Sequence, residues 1–162
     1  MKIIEYDDRY REDVKDLLVE LEEYIVSIDK DNLDIVGKDY REKMIDYDLK
    51  EAEECDGKCF LAIEDDKAVG LIMGTIPIYN EEDYLDYKCP KKGEITELVI
   101  SKDVRGKQIG QRLMKQMEEY FLSKKCEYVT IDVFAYNENA IKFYDKQGYH
   151  NRMHTVIKKI GE

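Results

Sequence analysis

Two side chains of this sequence could transfer protons. Glu97 lies in the otherwise apolar run ITELVI, where a carboxylate is costly unless it faces a wet cleft. Burial would raise its pKa and make it a usable general base towards an ammonium group; the alternative is a carboxylate that only attracts a cation. Tyr144 carries a phenol that stays protonated at neutral pH, so it is a candidate general acid, with a buried core tyrosine as the alternative.

A third chemical feature is the stretch VRGKQIG at residues 104–110, between a predicted strand and a predicted helix. Unpaired N–H groups and the helix dipole favour a phosphate or pyrophosphate at such a place. Its two glycines permit close approach of the backbone, while Arg105 and Lys107 add positive charge. The glycine spacing matches neither the P-loop nor the dinucleotide-binding GxGxxG. Considered alone, the stretch is equally consistent with an ordinary turn.

Hydrophobic periodicity defines the elements that must position these residues. Strands are predicted at residues 2–6, 59–63, 68–78, 94–100 and 127–136, with one or two more segments in 149–160. Helices are predicted at residues 8–28, 40–54, 109–125 and 137–147, the last ended by Gly148. Asp65-Asp66-Lys67 should close a hairpin, and residues 94–136 form a βαβ unit with parallel neighbouring strands. We therefore expect one α/β domain over residues 1–162.

Composition narrows the class of function. The 162 residues are 43% apolar and 39% charged, with a net charge of −11. That acidity argues against non-specific nucleic-acid binding and fits a cationic small molecule or basic peptide, unless it serves only solubility. No apolar run is long enough for a membrane span or a secretory signal, so we expect no membrane partner and a cytoplasmic location.

The remaining titratable residues give weaker signals. Cys55 and Cys59 form a CxxxC with no nearby histidine and no second pair, so no metal site is predicted. His150 and His154 have no supporting motif and are interpreted as ordinary strand or surface residues. Asp132 is a second acid in an apolar run, VTIDVF, and a weaker candidate for a substrate contact.

ITELVI, VRGKQIG and the downstream NENAIKFYDKQGY together resemble the GNAT superfamily of N-acetyltransferases. The first motif of that family is a strand followed by [QR]xxGx[GA] at the start of a helix. Arg105 and Gly110 match its ends, but Gln108 replaces its middle glycine. The second motif is a strand, an Asn, and a helix that ends in Tyr before Gly and an aromatic residue. It is matched by Asn137, Ala140, Tyr144, Gly148 and Tyr149. The resemblance is strong over residues 94–149, and the βαα start and the hairpin extend it to most of the chain.

The resemblance implies a mixed α+β fold: a central sheet of about six to seven strands, about four helices and a splayed, V-shaped cleft for acetyl-CoA, with no metal. The pantetheine arm would pair with the backbone of residues 98–100, and a backbone N–H near Val99 would face the oxyanion. Asn137 is also a predicted helix N-cap. The cofactor-binding residues implied are Leu98, Val99, Ile100, Arg105, Gly106, Lys107, Gln108, Ile109, Gly110, Gln111, Asn137, Asn139, Ala140 and Tyr144.

The glutamine at position 108 raises a specific expectation. Helical φ and ψ at the start of a helix do not require glycine, and glutamine can still donate its backbone N–H. We therefore expect Gln108 to adopt ordinary helical geometry and cofactor binding to survive the substitution.

The resemblance implies an acyltransferase that moves an acetyl group from acetyl-CoA to a primary amine by direct attack in a ternary complex, with Glu97 as base and Tyr144 as acid. The loop at residues 78–92 mixes acids with tyrosines and could bind a cationic amine; a solvated loop with packed tyrosines is the alternative. A small-molecule amine, a peptide amine and a homodimer all remain open. The competing interpretations are a non-catalytic CoA-binding or sensing module of the same fold and a cofactor-free interaction domain.

Overall fold

The computed structural model describes residues 1–161, which fall into two compact units, Met1–Asp132 and the residues from Val133 onwards. Glu162, the last residue of the predicted domain, lies outside the described residues. The first unit contains β1 (Lys2–Glu5), α1 (Arg11–Ile28), α2 (Tyr40–Glu54), β2 (Lys58–Glu64), β3 (Lys67–Thr75), β4 (Lys92–Ile100), α3 (Ile109–Ser123) and β5 (Tyr128–Ile131). The second contains α4 (Glu138–Lys146).

The five strands form one mixed sheet in the order β1-β2-β3-β4-β5. Neighbours from β1 to β4 are antiparallel, whereas β4 and β5 are parallel, as the βαβ pattern predicted. The predicted β2–β3 hairpin is also confirmed. Its turn residues Asp65 and Asp66 have φ of 50° and 58°, the left-handed pair that a two-residue type I′ turn needs.

The helices of the first unit cover the two faces of this sheet. Val14 and Leu18 of α1 and Ile45 of α2 pack with Leu71 and Val99 in one buried cluster, as their helical spacing predicted. The opposite face is covered by α3, whose Phe121 ring lies so close that a Cβ added at Gly74 or Gly93 would approach it to 2.8 Å or 2.4 Å. Apolar burial on both faces therefore fixes the sheet between its helices.

The parallel pair β4–β5 is short. It runs from Lys92 opposite Tyr128 to Ile95 opposite Ile131, and β4 then continues to Ile100 without β5 beside it. The strand predicted at residues 127–136 is thus reduced to four residues. The edge of β4 that β5 leaves is the opening that a splayed cleft requires.

The predicted strand segments in residues 149–160 are wrong. The described residues after α4 form no helix or strand, so the sheet has five strands, fewer than the six to seven expected. Val156 and Ile160 are 92% and 88% exposed. Because β-propensity reflects packing on a neighbouring strand, β-branched residues alone do not make a strand.

The second unit confirms the predicted helix boundaries. Asn137 is the N-cap of α4, and its Oδ1 accepts a hydrogen bond of 3.1 Å from the N–H of Ala140. Gly148, with φ of 89°, lies just beyond the end of the helix, where the left-handed conformation favours glycine. Among all the helices of residues 1–161, none is both long and apolar enough to cross a membrane.

Candidate functional site

A β-bulge in β4 determines which way Glu97 faces. Glu97 pairs with Met73 of β3, but Ile95 pairs with Gly74, so two steps along β4 match one step along β3. Thr96 is the extra residue and is exposed. Since Met73 belongs to the cluster under α1 and α2, Glu97 lies on that face, whereas Ile95 shares the α3 face with Gly74. Bulges commonly re-aim a side chain in this way beside active sites.

Glu97 lies in acidic surroundings. It is half-buried, and burial, reinforced by the charges of Asp48, Glu22 and Glu51, raises its pKa to about 8. The charges that raise the pKa of Glu97 are thus those of three carboxylates. A pKa near 8 suits a base that must accept a proton close to neutral pH. We refer to Glu22, Asp48, Glu51 and Glu97 as the inner acidic cluster.

Asp48 of α2 belongs to this cluster but was not predicted from the sequence. It is 9% exposed, and its Oδ2 atom is buried without a hydrogen-bond partner in residues 1–161. Burial, followed by the charge of Glu51, raises the pKa of Asp48 to about 6. Ile45 and Ala52 are the other buried residues of α2, so Asp48 occupies a core-facing position. This helical spacing of 45, 48 and 52 is the signal that could have identified it.

Tyr40 joins α2 to the same cluster. Burial and the charge of Asp34 raise the pKa of the Glu22 carboxyl of α1, and Tyr40 lowers it in part. Burial and the charges of Glu22, Glu97 and Asp48 raise the pKa of Tyr40. The phenol therefore remains a neutral donor and supplies no positive charge to the cluster.

The prediction of ordinary helical geometry at Gln108 is wrong. Gln108 has φ of 59° and ψ of 19°, in the left-handed region, and Gly106 has φ of 86°. The chain leaves the 3-10 turn at Lys102–Val104 and must reach Ile109, the first residue of α3, within a few residues. That connection overrides the local preference of glutamine, at a cost of about 1–2 kcal/mol.

The same backbone presents unpaired N–H groups at the start of α3. A left-handed residue followed by a right-handed one turns successive N–H groups to one side, as in the nests that bind phosphates. The first N–H groups of α3, at Ile109, Gly110 and Gln111, have no acceptor within the helix, and the dipole adds positive potential. A Cβ added at Gly106 would meet no heavy atom within 4 Å, so the loop has open space beside it.

The two cations of this loop are already engaged. Arg105 donates to the Ile100 carbonyl at 3.3 Å and to the Glu20 carboxylate at 3.4 Å. Lys107 Nζ lies 2.9 Å from Glu64 Oε2. An incoming phosphate would compete with these carboxylates, so the backbone N–H groups would supply more of the binding than the sequence suggested.

Tyr144 is described within the second unit. It is half-buried between the rings of Phe143 and Tyr149, whose centroids lie 5.2 Å and 5.9 Å from its own. Burial raises the pKa of Tyr144 to about 12, so the phenol holds its proton more firmly than the ordinary value implied. Asn139 and Ala140 lie in the first turn of the same helix.

The predicted acceptor loop combines both features considered for it. Tyr79 makes edge contacts with Tyr84 and Tyr87, at centroid distances of 6.3 Å and 5.8 Å, and its hydroxyl donates to the Pro90 carbonyl at 2.9 Å. The exposed acids of the loop are Glu81, Glu82 and Asp86. The tyrosines thus pack on one another while the acids face solvent.

The weaker candidates lie outside the inner acidic cluster. Asp132, His150 and His154 are exposed. The cysteines are free thiols, and burial raises the pKa of Cys59. In residues 1–161, no group of three or more His, Cys, Asp and Glu side chains is placed to hold a metal ion.

The sequence model of the acetyltransferase (GNAT) family matches residues 18–149. An uncharacterized N-acetyltransferase of Methanocaldococcus jannaschii is 32% identical over 96 residues, covering 58% of this chain and 54% of the relative. The chain spans about half the length of the curated relatives it matches.

Solved structures share the fold at low sequence identity. A mutant of the BH1408 protein from Bacillus halodurans superposes with a TM-score of 0.83 at 16% identity, covering 99% of each chain. An aminoglycoside N-acetyltransferase solved in complex with CoA has a TM-score of 0.69 at 12% identity, again covering 99% of each chain.

Proposed function

Because this chain belongs to the acetyltransferase (GNAT) family, we propose that it is an acetyl-CoA-dependent N-acetyltransferase that acetylates a primary amine. The main supporting observation is the continuity of two surfaces. The edge of β4 beyond Ile95 leads directly into the positive-φ loop and the N-terminus of α3. An extended amide-bearing arm that ends in a pyrophosphate needs a strand edge followed by a helix N-terminus.

The pantetheine arm would use backbone groups of Leu98, Val99 and Ile100. The Val99 side chain is 4% exposed and packs in the core, which leaves its backbone for recognition. The pyrophosphate would accept hydrogen bonds from N–H groups of residues 106–111. In this proposal the contacts from the second motif are made by Asn137, Asn139, Ala140 and Tyr144.

The chemistry is a direct transfer between two bound substrates. The neutral amine attacks the thioester carbonyl carbon through its nitrogen, a C–N bond forms and the C–S bond breaks. The leaving thiolate, stabilised by Tyr144, takes a proton from water. Glu97 accepts the proton that the amine loses, directly or through a water. A backbone N–H near Val99 stabilises the developing oxyanion. Burial of the Cys59 thiol, which raises its pKa, makes it a poor nucleophile and favours direct attack.

Tyr144 acts on the leaving sulfur in this proposal. With a pKa of about 12 the phenol is a hydrogen-bond donor that stabilises the thiolate more than a strong proton donor. Tyr144→Phe should lower turnover by about 10²-fold, because it removes the hydroxyl and retains the ring. Unchanged turnover in this variant would show that Tyr144 has no acid role.

The experiment that tests the proposal separates binding from reaction. Calorimetric titration of the full chain with acetyl-CoA should show saturable binding, and acetyl-CoA should raise Tm because it binds the native state. Thiol release is then measured with a panel of primary amines. No binding at millimolar acetyl-CoA would remove the proposal altogether.

A non-catalytic CoA-binding or sensing module is the second candidate. The observation that favours it is Gln108, which replaces the family glycine at a position whose φ is positive, beside cations that are already paired. Saturable binding of acetyl-CoA without thiol release for any amine would support this module over the enzyme.

Gln108→Gly tests what the replaced glycine means. The variant should raise Tm, because glycine adopts positive φ without the steric cost, and should bind acetyl-CoA at least as tightly as the native chain. The matched control is Gln116→Gly within α3, which should lower stability by about 1 kcal/mol. Weaker acetyl-CoA binding in Gln108→Gly would show that the glutamine side chain itself contributes a contact.

A further inference from the structure

The inner acidic cluster holds more negative charge than one reacting amine would balance. Burial raises the pKa of Glu97 and Asp48, and the charges of neighbouring acids raise both further. Tyr40 is neutral, because burial and the charges of Glu22, Glu97 and Asp48 raise its pKa. A single ammonium group at Glu97 would therefore leave the buried Asp48 without a counter-charge.

The sheet places these carboxylates on one face. Cross-strand pairing aligns Cys59, Met73 and Glu97 in a row over β2, β3 and β4, on the face that α1 and α2 cover. Asp48 projects from the core-facing side of α2 towards this row, where its charge acts on both Cys59 and Glu97. Its Oδ2 atom, in a side chain nine-tenths buried, lacks a hydrogen-bond donor within the described residues.

We propose that Asp48 binds a second ammonium group of the acceptor while Glu97 serves the reacting amine, so that the preferred acceptors are diamines and polyamines. The inference rests on the proposed acetyl transfer, since that reaction defines the acceptor. A buried carboxylate oxygen without a donor is costly, and an ammonium group offers three donors with a compact positive charge. A second ammonium group removes that cost, which a monoamine cannot do.

The same cluster disfavours amines that carry an acid group. A carboxylate or phosphate on the acceptor would meet Glu22, Glu51 and Asp48, and like charges brought together in a binding site are a strong element of specificity. Free amino acids and phosphorylated amino sugars should therefore be poor acceptors. Charge matching, rather than shape alone, would select the substrate.

The test uses amines of equal chain length with acetyl-CoA and the full chain: 1,4-diaminobutane, n-butylamine and 4-aminobutanoate. Thiol release gives kcat/KM for each amine. The diamine should exceed butylamine by at least about tenfold, the factor from one hydrogen bond to a charged group, and 4-aminobutanoate should be the poorest acceptor. Equal kcat/KM for the diamine and butylamine would overturn the inference.

Asp48→Asn tests the contribution of Asp48 to the preference for the diamine. The ratio of kcat/KM for the diamine over butylamine should fall at least about tenfold in this variant. The matched control is Glu53→Gln, which removes the same charge from an exposed position on the same helix and should leave the ratio unchanged. An unchanged ratio in Asp48→Asn would also overturn the inference.

A binding measurement keeps this inference separable from the proposed reaction. At matched ionic strength, 1,4-diaminobutane should raise the Tm of the native chain and of Glu53→Gln, but not that of Asp48→Asn. If this pattern appears without thiol release, acetyl transfer fails while the diamine site stands. If thiol release occurs and Asp48→Asn changes neither Tm shift nor amine preference, the diamine site fails while acetyl transfer stands.

Discussion

Helices α1 and α2 and strand β4 carry two groups of carboxylates in opposite electrostatic environments. One is the inner acidic cluster, in which Glu97 lies on β4 and the other acids lie on the helices. The other is an outer ion-pair cluster in which Lys15 Nζ lies 2.8 Å from Glu12 and 2.7 Å from Glu42, and Arg41 lies within 3.1 Å of three carboxylates. The outer ion-pair cluster consists of Glu12, Lys15, Asp16, Arg41 and Glu42.

The pKa shifts of the two groups have opposite signs. Hydrogen bonds from Lys15, more than those from Arg41, lower the pKa of Glu12 and Glu42. Burial raises the pKa of Asp48 and Glu97. Charges that complete their contacts within the chain favour folding, whereas buried charges left unpaired oppose it and indicate a site that awaits a cation. The comparison therefore separates acids that are paired within the chain from the two candidate site acids, Asp48 and Glu97.

The largest expected effect comes from neutralising Glu97. Glu97→Gln should lower kcat/KM by about 10²–10⁴-fold, because it removes the proposed base. In the native chain kcat/KM should rise with pH as Glu97 loses its proton near its pKa of about 8, and the variant should lack that rise.

The matched control for Glu97→Gln is Glu94→Gln on the same strand. Glu94 Oε2 lies 3.4 Å from Lys92 Nζ, so it resembles the paired acids of the outer ion-pair cluster. It should change kcat/KM little and retain the pH dependence. Similar losses in the two variants would mean that the pairing of a carboxylate does not distinguish its role.

Asp48→Asn should have a smaller effect, and on stability. The native pKa of Asp48, about 6, is above its ordinary value of 3.8, so the ionised carboxylate opposes folding once pH exceeds about 6, and the penalty disappears below about pH 4. The variant should raise the free energy of unfolding by about 1–3 kcal/mol at pH 8, measured by urea denaturation.

Glu42→Gln should change the free energy of unfolding in the opposite direction. Since hydrogen bonds from Lys15 and Arg41 lower the pKa of Glu42, its ionised form favours folding, and the variant should be destabilised at neutral pH. If Asp48→Asn destabilised the chain at pH 8, as Glu42→Gln should, the two groups of acids would not differ in their effect on stability.

The smallest effect is expected at Arg41. Arg41→Gln removes ion pairs to Glu12, Asp16 and Glu42, but Arg41 and its partners are substantially exposed, so the loss of stability should be small. It should shrink towards zero in 1 M NaCl, because salt screens exposed charges. A loss that persists in high salt would point to packing of the Arg41 stem.

Much of the fold follows from local sequence patterns. Helical spacing identified α1, α2 and α3, since each buries one apolar stripe, and Asp65-Asp66 identified the hairpin. The strand prediction for residues 149–160 failed because β-branched residues form a strand only where another strand pairs with them. Local propensity contains no information on that partner.

The candidate site was less predictable, for reasons of tertiary structure. Glu97 could be recognised from the sequence because it is a charge in an apolar run. Its acidic surroundings, which raise its pKa, are consistent with its choice as a candidate base. Asp48 was missed because a single acid in a polar helix looks unremarkable until burial is known. The φ predicted for Gln108 was wrong because the short connection between the 3-10 turn and α3, not the glutamine itself, determines it.

The extra residue in β4 reverses which face of the sheet the odd-numbered residues of the strand occupy. Before Thr96, the odd-numbered positions Gly93 and Ile95 face α3; after it, Glu97 and Val99 face α1 and α2. An uninterrupted strand would carry Glu97 to the apolar α3 face, beyond reach of the other acids. A substitution cannot move Glu97 to the other face of the sheet, because it replaces a side chain without changing the number of residues in β4. The place of Glu97 beside the other acids therefore depends on a one-residue insertion that leaves no mark on hydropathy.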